Sequence, residues 1–371
     1  MVISGTNSGA FCKDFGTVML SDITGDIRIN YLFYLPGNMR SSMTEYYSPD
    51  DSGVVRINDL GEVALSYFSS LPINFSDECI EEYSIIMEAQ IFDVSGYRLN
   101  GFSQKFYYSN CRTSIEFPYK YRGFLSRHRR RKIRQEQAHF VGFFLNAQQL
   151  GIGVSYRLGT KERWSEFLID MTDSGYLYYR NFSVNTIATL LQSNAGIAVN
   201  TDDIFYFIVY LKSDGEVVDA MQLDIDRTHY PAISHFVYRN CFGIPDTMQF
   251  VGKDNRTSEM EATYVNIQKK YRKINTRYNI YHDINTGYIN DTLRDCVEDL
   301  VTSDEVFLYN DTTLGDMVTI TETVFDESRP RTEPINVRLK YRLAAECQRT
   351  IDRDMTMDYR IFDHTFGDTF E

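Results

Sequence analysis

A chain of 371 residues is long enough for two or three domains and a sizeable buried core. Its 51 acids outnumber its 38 Lys and Arg, and the net charge of −13 argues against stable nucleic-acid binding, because phosphates are repelled. No apolar run approaches the roughly 18 residues of a spanning helix, so no membrane insertion is expected. Tyr and Phe number 27 and 25 while Pro is scarce, which suits pleated, half-buried surfaces and predicts a mainly β fold.

Residues 1–118 read as a β-sandwich-like domain. Its first residues lack the basic start and apolar block of a secretory leader. Ile27, Ile29, Tyr31, Phe33 and Leu35 recur every second residue, the period of a strand with one face buried. A short strand is expected at 54–57 and a turn, or one helical turn, at 58–61. Ser95-Gly96 separates two strand-like runs, 82–94 and 99–111, as a hairpin turn would. Six or seven such strands make a small sandwich.

Residues 119–136 form a basic linker. Eight Lys or Arg lie between Lys120 and Arg134, and no acid falls between Glu116 and Glu136. Three readings are open. The run is a solvated loop, as charge runs usually are. It is a docking arm for an acidic partner, with Arg127, Arg129, Arg130, Arg131 and Lys132 as the contact residues. Or it touches nucleic acid, against which the thin aromatic interleaving of Tyr119, Tyr121 and Phe124 counts.

A second β-sandwich-like domain is expected over 137–237, with strands at 140–145, 153–157, 165–170, 176–182, 204–211 and 217–226. Asp214-Gly215 is a strong hairpin turn, and 184–193 is a short helix or turn. Residues 238–343 make a third unit, an antiparallel sheet domain with one helix. Two long strands at 262–273 and 276–284 precede a helix over 291–303, which Asn290 or Asp291 can cap. Strands follow at 305–309 and 317–325. The last, 335–343, alternates strictly between apolar Ile335, Val337, Leu339, Tyr341 and Leu343 and polar neighbours. Residues 344–371 are a polar C-terminal arm. Phe362, Phe366 and Phe370, four apart, need cover from another domain or subunit.

The chemistry-bearing motifs are mostly missing. There is no GxGxxG, GxxxxGK[ST], HExxH, CxxC or GxSxG. Asp224, Asp226 and His229 could ligate a metal, but Asp226 capping a turn beside a surface His229 is the simpler reading. The 283–287 stretch reads as a turn, not a calcium loop. With 51 acids a carboxylate pair proves nothing. Cys12, Cys79, Cys111, Cys241, Cys296 and Cys347 make no close pair in sequence, which predicts reduced, unpaired thiols in a protein made in a cytoplasm. The expectation is a non-enzymatic chain with no cofactor and no metal.

The segments YRNCFGIPDTMQFVGK (238–253), YINDTLRDCVEDLVTSDEVFLYN (288–310) and INVRLKYRLA (335–344) together resemble tail-tip structural proteins of tailed phages and prophages of Bacteroidota-type hosts. The strand and helix order of 238–343 is similar to the tail-tube fold of tube, distal-tail and baseplate-hub proteins. The resemblance covers the last third well, the middle loosely and the first domain hardly at all. It implies a distal-tail or baseplate ring of six or three copies that contacts other tail proteins. Such a protein resides in the virion tail and, during assembly, in the host cytoplasm. The family brings no catalytic residues, and the basic run has no counterpart in it. An acidic chain fits a lumen that must pass DNA without binding it. The rival readings are a carbohydrate-binding adhesin or tail-fibre protein, against which the single Trp164 counts, and a glycan hydrolase on a β scaffold.

Overall fold

The computed structural model describes residues 1–344 except 70, 72–74, 76–77, 82–83, 114, 116–117, 136, 147–148, 172–173, 268–269, 288, 290, 311–312 and 326–335. The protein is mainly β, as the composition predicts.

The first domain packs two sheets on each other. The larger runs Ala10–Phe11, Arg98–Tyr107, Ile85–Asp93, Ile27–Leu35, Met39–Tyr47, antiparallel except for the first pair. The smaller joins Val2–Ser4, Val18–Ser21 and Val55–Ile57. Ile27, Ile29, Tyr31 and Phe33 are buried on the inner face, as their spacing predicts. Of the two readings of 58–61, the helical one is observed: helix α1, Leu60–Ser69, starts there and runs on for more than the single turn expected. Leu60, Ala64 and Phe68, four apart, give it an apolar stripe that closes the core. Ser95-Gly96 forms the expected hairpin turn, with Gly96 at φ 88°.

The second domain opposes a five-stranded and a three-stranded sheet over a core of Val141, Phe143, Ile152, Val154, Phe207 and Val209. Helix α2, Val184–Ala195, fills one end. Ser183 Oγ accepts from the Thr186 N–H, and Gly196 ends the helix at φ 69°. Asp214 and Gly215 both have positive φ, 55° and 87°, the geometry of a type I′ turn.

Three strands cross the boundaries the sequence suggests: Ser234–Arg239 starts inside the expected second domain but belongs to the sheet of the third, and two others reach further. Glu78–Glu81, inside the expected first domain, pairs antiparallel with Ser174–Asn181 of the second. Arg130–Ile133, inside the expected linker, adds a parallel edge strand beside Glu216–Ile225. Both give an open sheet edge a partner, a need that sequence order does not reveal.

The third domain is one seven-stranded antiparallel sheet. Its order is Pro245–Phe250, Ser234–Arg239, Val306–Asn310, Thr313–Val324, Arg338–Leu343, Lys270–Asn285, Asp254–Ile267. Helix α3, Asp291–Val301, packs Cys296, Val297 and Leu300 onto it, against Val337, Leu339 and Tyr341. The expected element order is observed, with two further strands ahead of it. The hairpin reversal falls between Ile267 and Lys270 rather than near 274–275, so the strands are longer than expected. The expected cap at Asn290 and the expected arm with Phe362, Phe366 and Phe370 lie outside the described residues.

The three units are fused by a shared apolar core. Phe11 and Tyr107 of the first meet Phe140, Phe144 and Tyr179 of the second and Val237 and Ile244 of the third.

Candidate functional site

The basic segment lies along the seam between the second and third domains. In Arg130–Ile133 the strand period decides the fate of each side chain: Arg131 and Ile133 point inward and are buried, while Arg130 and Lys132 point outward. Arg131 Nη1 lies 2.6 Å from Asp246 Oδ1, with both side chains nearly inaccessible. The guanidinium also donates to the Thr247 carbonyl at 2.9 Å and to Ser126 Oγ at 2.9 Å. Ser126 in turn donates to Asp246 at 3.0 Å. Asn240 donates to the Leu125 carbonyl at 2.8 Å. Burial opposes a charge on Asp246, but the Arg131 guanidinium outweighs it and holds the carboxyl below its ordinary range.

The other arginines also find partners within the chain. Arg129 pairs with Asp219 at 2.8 Å, Arg130 with Asp224 at 2.8 Å, and Arg122 with Asp214 at 3.2 Å. Arg127 lies 3.6 Å from Asp299 of α3, and Arg134 donates to the Thr228 carbonyl at 2.8 Å. The linker is therefore a built-in strap. Of the five expected docking residues, Arg131 is wholly committed inside, Arg127, Arg129 and Arg130 are paired, and Lys132 is exposed. Three of the acids that hold the strap, Asp214, Asp219 and Asp224, lie along one hairpin some ninety residues away, a distance that hides the pairing in the sequence.

A second buried cation ties the first domain to the third. Arg239 is fully buried, bonds the Phe68 and Leu71 carbonyls at the end of α1, and lies 2.8 Å from Glu305. Three buried histidines line the seam. Burial, and for His128 also Arg131, pushes His128 and His235 down to about 3, and burial lowers His139 strongly as well. All three are neutral near pH 7.

Beside the strap's outward face opens a cleft of about 470 Å³. Arg130, Lys132, Asp224, Asp226 and Tyr230 line it together with Met248, Gln249, Val251 and Leu293. Asp226 accepts from the Thr228 N–H at 2.9 Å and the Tyr230 hydroxyl at 2.8 Å, which is the turn-capping role expected of it. Among the described residues no His, Cys, Asp and Glu cluster is placed to hold a metal.

The hairpin Asp254–Ile267 and Lys270–Asn285 is the other unusual feature. Its second strand pairs with Arg338–Leu343 only over Tyr281–Asn285. Among the described residues, the two strands pair only with each other from Ser258–Ile280 outward. Some ten residues of extended ribbon project, roughly 35 Å. Met260, Tyr264, Val265, Ile267, Tyr271 and Tyr278 are exposed on it, Tyr271 at 77%.

No family model matches the chain, and a search of curated proteins returns no match.

Proposed function

We propose that this chain is a structural subunit of a repeating assembly, of the distal-tail or baseplate type found at a phage tail tip, and not an enzyme. The projecting hairpin carries the reading. A two-stranded ribbon is marginal in water by itself, and one with exposed aromatics on an unpaired edge invites a neighbouring chain. A ring of six or three copies covers each ribbon with the next subunit, and strand addition along Asp254–Ile267 supplies the missing hydrogen bonds. The order of strands and helix in the third domain supports the same reading.

The test is native mass spectrometry with electron microscopy on the concentrated full chain. Closed rings are expected, and replacing residues 258–280 by an Asn-Gly turn should abolish them while the remainder stays folded. A strict monomer at about 100 µM, far above the Kd of any useful assembly contact, sinks the proposal.

The cleft favours a second reading, recognition of a cell-surface glycan. Carboxylates, cations and a phenol converge there with apolar groups, the mixture a saccharide site uses. Glycan-array binding that is lost in Asp226→Asn would support it, and silence across the array would remove it.

A further inference from the structure

We propose that Cys111 and Cys241 are a redox-active thiol pair that a peroxide-class oxidant closes into a disulfide, joining the end of the first domain to the start of the third. The inference is independent of the assembly reading. Sequence distance hid the pair, since the whole second domain lies between the two residues.

The fold holds them together. Cys111 sits in the loop after strand Arg98–Tyr107, and Cys241 in the tight turn where the Gly243 N–H donates to the Asn240 carbonyl at 2.9 Å. The Asn110 N–H donates to the Cys241 carbonyl at 3.2 Å, which pins one loop to the other next to the sulfurs. That backbone bond sets the Cys111 and Cys241 thiols beside each other, close enough to perturb one another. They are unequal: Cys111 is partly exposed, Cys241 is buried.

Their surroundings divide the labour. Arg127 Nη2 lies 3.9 Å from Cys111 Sγ, so a cation faces the accessible sulfur. The Cys241 thiol and Arg127 hold Cys111 below the ordinary thiol range against the effect of burial. Asp299 faces Cys241, and burial raises this carboxyl to about 6. Cys241 itself is pushed upward by Cys111 and by burial, so it keeps its proton until attack. Cys111 is the nucleophile and Cys241 the resolving thiol. The Cys111 thiolate attacks one peroxide oxygen; an S–O bond forms, the O–O bond breaks, and hydroxide leaves to become water. Asp299 takes the Cys241 proton as its sulfur attacks Cys111; the S–S bond forms, the S–O bond breaks, and the second oxygen leaves as water. Two thiols and one hydrogen peroxide give one disulfide and two waters.

Cys12 is a built-in control. It is buried, and burial raises it to about 12. The experiment uses the folded full chain at pH 7, timed iodoacetamide labelling and peptide mass spectrometry. Cys111 should label at least about tenfold faster than Cys12, as its thiolate fraction and access dictate. Hydrogen peroxide should yield a Cys111–Cys241 linked peptide in the wild-type chain, a measurement that needs no variant. In Cys241→Ser, dimedone should trap a sulfenic acid on Cys111; in Cys111→Ser, Cys241 should stay reduced. Arg127→Gln should slow labelling of Cys111 several-fold. Labelling of Cys111 no faster than Cys12 overturns the proposal. So does oxidation of Cys111 to sulfinic acid while Cys241 remains a free thiol.

Discussion

Residues 120–134 and 254–285 are both rich in charge, yet the fold treats them in opposite ways. The strap finds its counter-charges inside the chain, because Asp219 and Asp224 on one neighbour and Asp246 and Asp299 on the other face it. The hairpin leaves its own sheet after Tyr281 and meets no covering layer among the described residues. Charge density alone therefore says little about exposure. What separates the two regions is whether the rest of the chain presents complementary groups at the right register.

The largest effect should come from breaking the strap. Arg131→Ala leaves Asp246 buried without its cation and should cost about 3–5 kcal/mol in urea unfolding, whereas the paired change Arg131→Met with Asp246→Leu should recover much of it. Equal losses in the single and double variants would mean that the pair is not the source. Acid comes next. His128 and His235 titrate near 3 in the fold and near 6.5 unfolded. Between those values the unfolded chain binds protons that the native one refuses. Stability present above pH 6.5 should therefore fall steadily as the pH drops towards 3. Asp299, raised by burial to about 6, runs the other way and is outnumbered. His235→Phe should flatten the slope, and a midpoint independent of pH over this window would refute the burial argument.

On the projecting hairpin the expectations reverse. Tyr264→Ser with Tyr271→Ser should change monomer unfolding by only about 0.5 kcal/mol, since neither ring is buried, but weaken assembly at least about tenfold by sedimentation. The smallest effect belongs to Arg130→Gln. Its side chain is 70% exposed, and its pair with Asp224 should be worth under about 1 kcal/mol and fade with salt. A loss as large as that of Arg131→Ala would erase the distinction between inward and outward positions on this strand.

Much of the fold was legible wherever one face is wet and the other dry. Period-two spacing marks both Ile27–Leu35 and the last strand, Arg338–Leu343, because alternate burial writes itself into the residue types. Gly215 and Gly96 mark their turns because the backbone there needs positive φ. The strap was not legible. In Arg130-Arg131-Lys132-Ile133 the inward Arg131 is as charged as its outward neighbours, and only the distant Asp246 makes that burial tolerable. The Cys111–Cys241 contact was hidden for the same reason: it is a property of tertiary approach, carried by the Asn110–Cys241 backbone bond.

The strand Glu78–Glu81 has a consequence for synthesis. Its partner, Ser174–Asn181, leaves the ribosome about a hundred residues later, on the order of 5–20 s at ordinary elongation rates. During that interval the first domain can close its own sheets, but this strand has nothing to pair with. The nascent chain therefore carries an open edge that a holdase or a neighbouring polysome product can reach. The middle unit, for its part, has its three-stranded sheet completed by a strand from outside its own residues. Translation order and the order of strand pairing are therefore interleaved in this molecule.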